Sequence, residues 1–170
     1  MPKFNKESRD RTAALLERYG FTIERKPNGE DRYDKNLMAR GLWFRAPIYV
    51  NKTTARDDGT PRYFKVAFHP HEFDSNWAEP GAGIEQDFNA RQNGANRHAS
   101  SNYQGYPYQP GNNEPIGACL RVANWQALER LLARISGKSA PAVAAAPAKA
   151  DGPQPGTLAS PMVGTAYLCP

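Results

Sequence analysis

Two stretches of the chain place apolar residues at the spacing of an amphipathic helix. The first covers residues 6–19 and keeps its charged residues off one face. That face consists of Thr12, Leu15, Leu16 and Tyr19. Asn5 or Ser8 is suited to cap its start, and Gly20 is suited to end it. The second begins after Asn124 and ends before Gly137. Its apolar stripe consists of Trp125, Leu128, Leu131, Leu132 and Ile135.

Four other stretches have the composition of β-strands, and they cover residues 21–25, 42–53, 62–69 and 116–123. Pro47 interrupts the second stretch, which favours an edge position or a bulge. The Asp-Gly pair at 58–59 is a strong signal for a hairpin turn between the second and third stretches. The third alternates, so Phe64, Val66 and Phe68 should share one side of a sheet.

The order α-β-β-β-loop-β-α predicts an α+β fold within residues 4–137. We expect a mainly antiparallel four-stranded sheet with an N-terminal and a C-terminal helix packed on it. Residues 70–115 are rich in Asn, Gly, Gln, Ser and Pro and have no sustained period, which is typical of a functional loop or of local disorder. Residues 138–158 form an Ala/Pro-rich linker to a short segment, 159–170, in a tail expected to be disordered.

Composition narrows the class of protein. The hydrophobic share is 39%, and the chain has 14 Gly and 15 Pro, so part of it should stay unpacked. No apolar run is long enough to cross a bilayer, and residues 1–6 do not begin a signal peptide. Cys119 and Cys169 are too few for a disulfide framework. These features predict a cytoplasmic protein without a membrane partner.

Charge is distributed unevenly along the domain. Lys and Arg outnumber Asp and Glu by 15 to 9 in residues 1–65, whereas acidic residues prevail by 6 to 3 in residues 66–123. A basic half beside an acidic half indicates a directed electrostatic surface, for which nucleic acid is the commonest polyanionic partner. The alternative is a surface of mixed charge that only keeps the protein in solution.

Tyrosines and amide side chains are interleaved around Tyr103, Tyr106 and Tyr108. Such side chains can stack on unpaired bases and reach base edges. They suit a protein interface equally well, and a third alternative is that the tyrosines pack back on the domain. The basic half and this loop together give the candidate nucleic-acid-binding residues: Arg9, Arg11, Arg18, Lys26, Arg97, Tyr103 and Tyr106.

Histidines near the end of the third predicted strand are the best candidates for a metal site. His69 and His71 project to the same side of a strand end, and Asp74 or His98 would complete a ligand shell. Polar residues where a strand leaves the sheet explain this pattern better, so we assign no metal. The sequence has no nucleotide-binding glycine loop and no nucleophile elbow. It therefore points to binding rather than catalysis, with no catalytic residue and no cofactor.

The tail contains the most specific string in the chain. The Ala/Pro tract Ala140–Ala150 leads into Ser160–Tyr167, with the sequence SPMVGTAY. Together they resemble the linker and first strand of the biotinyl domain in the biotin carboxyl carrier protein of acetyl-CoA carboxylase. That family modifies a lysine between two methionines, and this chain has no Met-Lys-Met. The resemblance therefore implies a truncated segment that cannot attach biotin.

Residues 12–65 resemble a degenerate restriction-endonuclease-like domain, on the predicted helix, the strand that follows it and Asp34. In that family an Asp and a later Asp/Glu-x-Lys motif hold a metal ion beside the scissile phosphate. Here the corresponding motif is Tyr63-Phe64-Lys65, with a tyrosine in place of the acid. The resemblance therefore implies a nuclease-like domain that binds without cleaving, because the second acidic ligand of the metal ion is missing.

The function expected from the sequence is therefore non-catalytic binding of nucleic acid through the basic N-terminal half and the tyrosine-rich loop. A second hypothesis is a carrier-related protein of fatty-acid synthesis that has lost its biotinyl module. A third is a protein-binding regulator of mobile-element origin that uses residues 70–115 as its interface with a protein partner.

Overall fold

The computed structural model describes residues 5–25, 27–28, 36–51, 56–88, 95–111 and 113–139. Lys26, Asp34 and the carrier-like segment 159–170 lie outside this part of the chain, as does the linker from residue 140 onwards. No helix in the described ranges is long and apolar enough to span a bilayer.

The N-terminal helix, α1, covers Lys6–Arg18. Of the two candidate caps, Asn5 fills this role, because its side-chain oxygen accepts a hydrogen bond of 2.8 Å from the Ser8 backbone N–H. The helix ends at Tyr19, and Gly20 follows with a positive φ of 92°. Its buried face holds Thr12 and Leu16, as its sequence pattern predicts.

The C-terminal helix, α2, covers Trp125–Ser136. Asn124 caps it by accepting a hydrogen bond of 2.9 Å from the Ala127 backbone N–H. Gly137 ends it in the left-handed conformation, with φ of 70°, where a side chain would be strained. The predicted start and end of this helix are both confirmed.

An antiparallel sheet forms the centre of the domain. Within the described residues it has seven strands: β1 (Phe21–Ile23), β2 (Asn36–Gly41), β3 (Ile48–Asn51), β4 (Phe64–Phe68), β5 (Ile84–Gln86), β6 (His98–Ala99) and β7 (Ile116–Val122). Their order is β1-β2-β3-β4-β7-β5, and β6 pairs with the first residues of β7. The α+β class and the antiparallel sheet are confirmed, whereas the predicted count of four strands is too low.

Three of the seven strands, β2, β5 and β6, are not predicted by the sequence pattern, and each omission has a physical reason. β2 is buried on both faces, so its apolar residues Leu37, Met38 and Ala39 are consecutive and do not alternate with polar ones. β5 and β6 are only three and two residues long, too short to show a period. Of the described residues 42–51 of the second predicted strand, only Ile48–Asn51 is a strand, because the preceding residues form the turn from β2.

Both helices pack on one face of the sheet, and we call the resulting apolar cluster the helix-side core. Its sheet residues are Phe21, Ile23, Leu37, Ala39, Ile48, Val50, Phe64, Val66, Phe68, Ile84, Leu120 and Val122. Its helix residues are Ala13, Leu16, Tyr19, Ala127, Leu128, Leu131, Leu132, Ala133 and Ile135. The predicted alternation in β4 is confirmed, because Phe64, Val66 and Phe68 all face the helices.

The opposite face of the sheet carries a smaller cluster that we call the loop-side core. It consists of Met38, Tyr49, Ala67, Tyr103, Tyr106 and Cys119. Its cover is the irregular segment between β6 and β7, which holds two of the tyrosines. The sheet is therefore buried on both faces, by helices on one and by a loop on the other.

Candidate functional site

A groove of about 470 Å³ lies between the exposed sides of α1 and α2. Its lining consists of Arg11, Ala14, Leu15, Arg18, Trp125, Gln126 and Glu129. On α1, positions 11, 14, 15 and 18 form one stripe, because residues three and four apart lie above one another on a helix. This stripe is adjacent to the buried one, and its side chains are exposed except for that of Leu15, which is half-buried.

Trp125 forms the floor of the groove and is held on two sides. Its indole Nε1–H donates a hydrogen bond of 3.3 Å to Thr12 Oγ1 on α1. Its ring meets that of Phe64 edge to face, with centroids 5.9 Å apart. A tryptophan tied to both the facing helix and the sheet keeps a fixed orientation, so the groove has a rigid aromatic base.

Arg11 lies over this ring. Its guanidinium carbon is 4.1 Å from the centre of the Trp125 ring, within the range of a cation–π interaction. Arg11 forms no ion pair with any carboxylate in the described ranges. Its positive charge is therefore held by an aromatic face and remains open to an anionic ligand.

Arg18 and Glu129 form an ion pair across the groove. The Tyr19 hydroxyl donates a hydrogen bond of 3.0 Å to the same carboxylate oxygen. Burial, and this bond to Glu129, raise the pKa of the Tyr19 hydroxyl. Two arginines and one carboxylate give the groove a formal net charge of +1, so its electrostatics favour an anion.

The other predicted basic residues lie away from this groove. Arg9 Nε is 3.9 Å from Asp10 Oδ1. Arg97 donates a hydrogen bond of 2.7 Å to the backbone carbonyl of Asn96, just before β6. Of the five predicted basic residues, the structure brings together Arg11 and Arg18, while Lys26 lies outside the described residues.

Tyr103 and Tyr106 require a correction. Their side chains are only 5% and 4% exposed, because they belong to the loop-side core. The Tyr106 hydroxyl lies 2.7 Å from the Pro47 carbonyl oxygen and 2.9 Å from that of Ala67. Neither ring offers a free face to a base, so the expected stacking role does not fit them. The structure shows the third alternative, in which the tyrosines pack back on the domain.

The histidines are divided between two places. His69 Nδ1 accepts a hydrogen bond of 3.1 Å from the His71 backbone N–H. Burial lowers the pKa of His69, which favours the neutral ring that this bond requires. His98 instead lies beside Lys65 and Asp87. In the described part of the chain, no group of three or more His, Cys, Asp or Glu is arranged to hold a metal ion.

Comparison with protein-family models, with curated proteins and with solved structures finds no match to this chain. The carrier-like and nuclease-like resemblances therefore stay predictions.

Two groups of interacting residues were not predicted. The first is Trp125 with its neighbours in the groove, because the sequence pattern places Trp125 only in the apolar stripe of α2. Its position in the first turn of that helix is the one sequence feature that points to a site. The second group is a partly buried cluster in which Lys65 Nζ lies 3.0 Å from Asp87 Oδ2, and His98 Nε2 lies 3.6 Å from the same oxygen. These three residues are far apart in sequence and have no local motif. They tie β4 to the ends of β5 and β6.

Proposed function

We propose that the protein binds nucleic acid, without catalysis, through the groove between α1 and α2. The observation that carries this proposal is the position of Arg11, which lies on the Trp125 ring and has no carboxylate partner in the described residues. Arg18, another candidate from the sequence, lines the same groove. A guanidinium group binds phosphate through several N–H donors at once, and an aromatic base adds contact area.

Charge also supports this assignment. Glu129 is the one carboxylate among the lining residues, and its ion pair with Arg18 offsets its negative charge. A phosphate in the groove is therefore attracted by Arg11, and it competes with Glu129 for Arg18. Because these charges are near the surface, salt will screen them, and binding should weaken steeply as salt increases.

Binding of short fluorescent oligonucleotides, measured by anisotropy between about 50 and about 200 mM salt, tests the proposal. Two phosphate contacts predict a slope of log K against log salt of about −1.4 for a single strand. Arg11→Gln should reduce the magnitude of this slope by about 0.7 and weaken binding by about tenfold. Glu129→Gln should strengthen binding, because it removes the competing carboxylate from Arg18.

Arg56→Gln is the matched control, since Arg56 is exposed at the hairpin turn between β3 and β4 and does not line the groove. It makes the same change of net charge and should leave the slope unchanged. Absence of binding at the lowest salt, or equal effects of Arg11→Gln and Arg56→Gln, would reject the groove as the binding site.

A further inference from the structure

We infer that the ligand of this groove is a single strand, with one unpaired base stacked on the outer face of the Arg11 guanidinium. This inference rests on the proposed function and specifies which form of nucleic acid the groove accepts. It starts from the shape of the guanidinium, which is planar and has two faces. Its central carbon lies over the Trp125 ring, 4.1 Å from the ring centre, and Arg11 is exposed and lines the groove.

A stack of tryptophan, arginine and base follows from this geometry. Bases that are splayed out of a strand stack on aromatic rings and on guanidinium planes. The hydrogen bond from Trp125 to Thr12 and the contact of Trp125 with Phe64 fix the lower layer of this stack. Arg11 therefore presents a platform that is already ordered, so a base that binds there loses less entropy than on a free arginine.

Groups for the rest of a nucleotide are present in the same groove. Arg18 is two helical turns from Arg11, about 10 Å along the axis, and its long side chain can reach a phosphate beside the stacked base. The exposed Gln126 amide forms no hydrogen bond in the described residues, and an amide can both donate to and accept from a base edge. The volume of about 470 Å³ lies in the range of sites that take one small molecule.

A duplex has no unpaired base that could stack on Arg11. Its phosphates are on the outside, but the faces of its bases are covered by their neighbours in the stack. A duplex can therefore contact Arg11 and Arg18 by charge alone, whereas an unpaired strand adds the stacking contact. The groove should discriminate between the two forms at equal salt.

The test compares four ligands by competition with the full-length chain: a single strand, the same strand made abasic, its duplex, and inorganic polyphosphate. The intact single strand should bind about tenfold more tightly than the abasic strand. Arg11→Lys keeps the charge but loses the planar face. It should therefore weaken the intact strand by about tenfold and leave the abasic strand and polyphosphate nearly unchanged. Arg56→Lys is the matched control and should change none of the four affinities.

The outcomes separate this inference from the proposed function. If the intact strand, the abasic strand and the duplex bind equally, and Arg11→Lys has no effect, the groove binds phosphate alone and the stacking inference is overturned. If no oligonucleotide binds and no salt slope is seen, the proposed function itself fails. The abasic ligand requires no change to the protein, so the inference can be rejected even if a variant does not fold.

Discussion

The two faces of the sheet are buried by different chemistry. In the helix-side core, aliphatic and phenyl side chains interdigitate below two amphipathic helices. In the loop-side core, three tyrosine rings meet with centroids 5.3 to 5.4 Å apart, and they pack with Met38, Ala67 and Cys119 of the sheet. The helices satisfy their own backbone groups, whereas an irregular loop must find partners for its backbone elsewhere. Tyrosine meets both needs, since its ring is apolar and its hydroxyl forms hydrogen bonds.

The hydroxyl groups of the loop-side core bond to backbone carbonyls. Tyr49 on β3 donates a hydrogen bond of 3.1 Å to the Gln104 carbonyl in the covering loop. The Tyr106 hydroxyl in the loop donates in the other direction, to the carbonyls of Pro47, just before β3, and of Ala67 on β4. Gly117 on β7 allows the close approach, because a Cβ there would lie 3.0 Å from the Tyr106 ring and 3.1 Å from that of Tyr103.

We expect the largest loss of stability from a substitution in the helix-side core. Leu131 is fully buried beneath α2, so Leu131→Ala leaves a cavity and should lower the free energy of unfolding by about 3 kcal/mol. Urea denaturation measures this loss. The exposed Gln126→Ala on the same helix is the control, and its stability should be almost unchanged. A loss below about 1 kcal/mol for Leu131→Ala would show that the helix packs less tightly than described.

Alkaline pH should lower the stability of the protein mainly through ionisable groups of the loop-side core. Burial raises the pKa of the Cys119 thiol from 9.0 to about 12, and burial also raises the pKa of the Tyr103 and Tyr106 hydroxyls. Below pH 9 the thiol is protonated in both the folded and the unfolded chain, so its contribution is fully present. Between about pH 9 and 12 only the unfolded chain releases this proton, and stability falls.

Cys119→Ala isolates the thiol in this pH dependence. In a background of Cys169→Ser, it should reduce the alkaline slope of the unfolding free energy by about 1.4 kcal/mol per pH unit above pH 9. Urea denaturation from about pH 8 to about pH 11 gives the slope. Identical slopes with and without Cys119 would mean that the thiol is already open to solvent in the native state.

We expect the smallest losses of stability from removing the hydroxyl groups of the two loop tyrosines, and the two losses should differ. Tyr106→Phe removes the hydroxyl whose single proton is shared between two buried carbonyls, and it should cost about 1 to 2 kcal/mol. Tyr103→Phe removes only a contact of 3.7 Å with the Cys119 sulfur, so we expect a loss below about 1 kcal/mol. Equal losses, measured by urea denaturation, would indicate that both rings act by packing alone.

The same contrast explains how much of the fold could be predicted from the sequence. The helices were predictable because Leu128, Leu131 and Ile135 repeat at helical spacing, and Asn124 is a local signal. The loop-side core has no period, and the position of Tyr106 depends on β3 and β4, which are distant in sequence. The composition of this segment therefore predicts a binding surface, although its tyrosines are buried.

The candidate site was predictable in part for a related reason. Arg11 and Arg18 share one helical stripe, so their proximity follows from sequence spacing. Their neighbours Trp125 and Glu129 come from the other end of the domain, and only the packing of α1 against α2 brings them together. A helix pattern gives the face of each helix but not the partner that the face meets.

The burial of Cys119 makes this residue a natural reporter of loop opening. Its thiolate is the form that reacts with alkylating reagents, and the native protein suppresses this form by keeping the sulfur beneath Tyr103. In a chain with Cys169→Ser, modification must therefore wait for the segment between β6 and β7 to lift from the sheet. The rate of modification would then measure how often that segment opens while the helices on the other face remain folded.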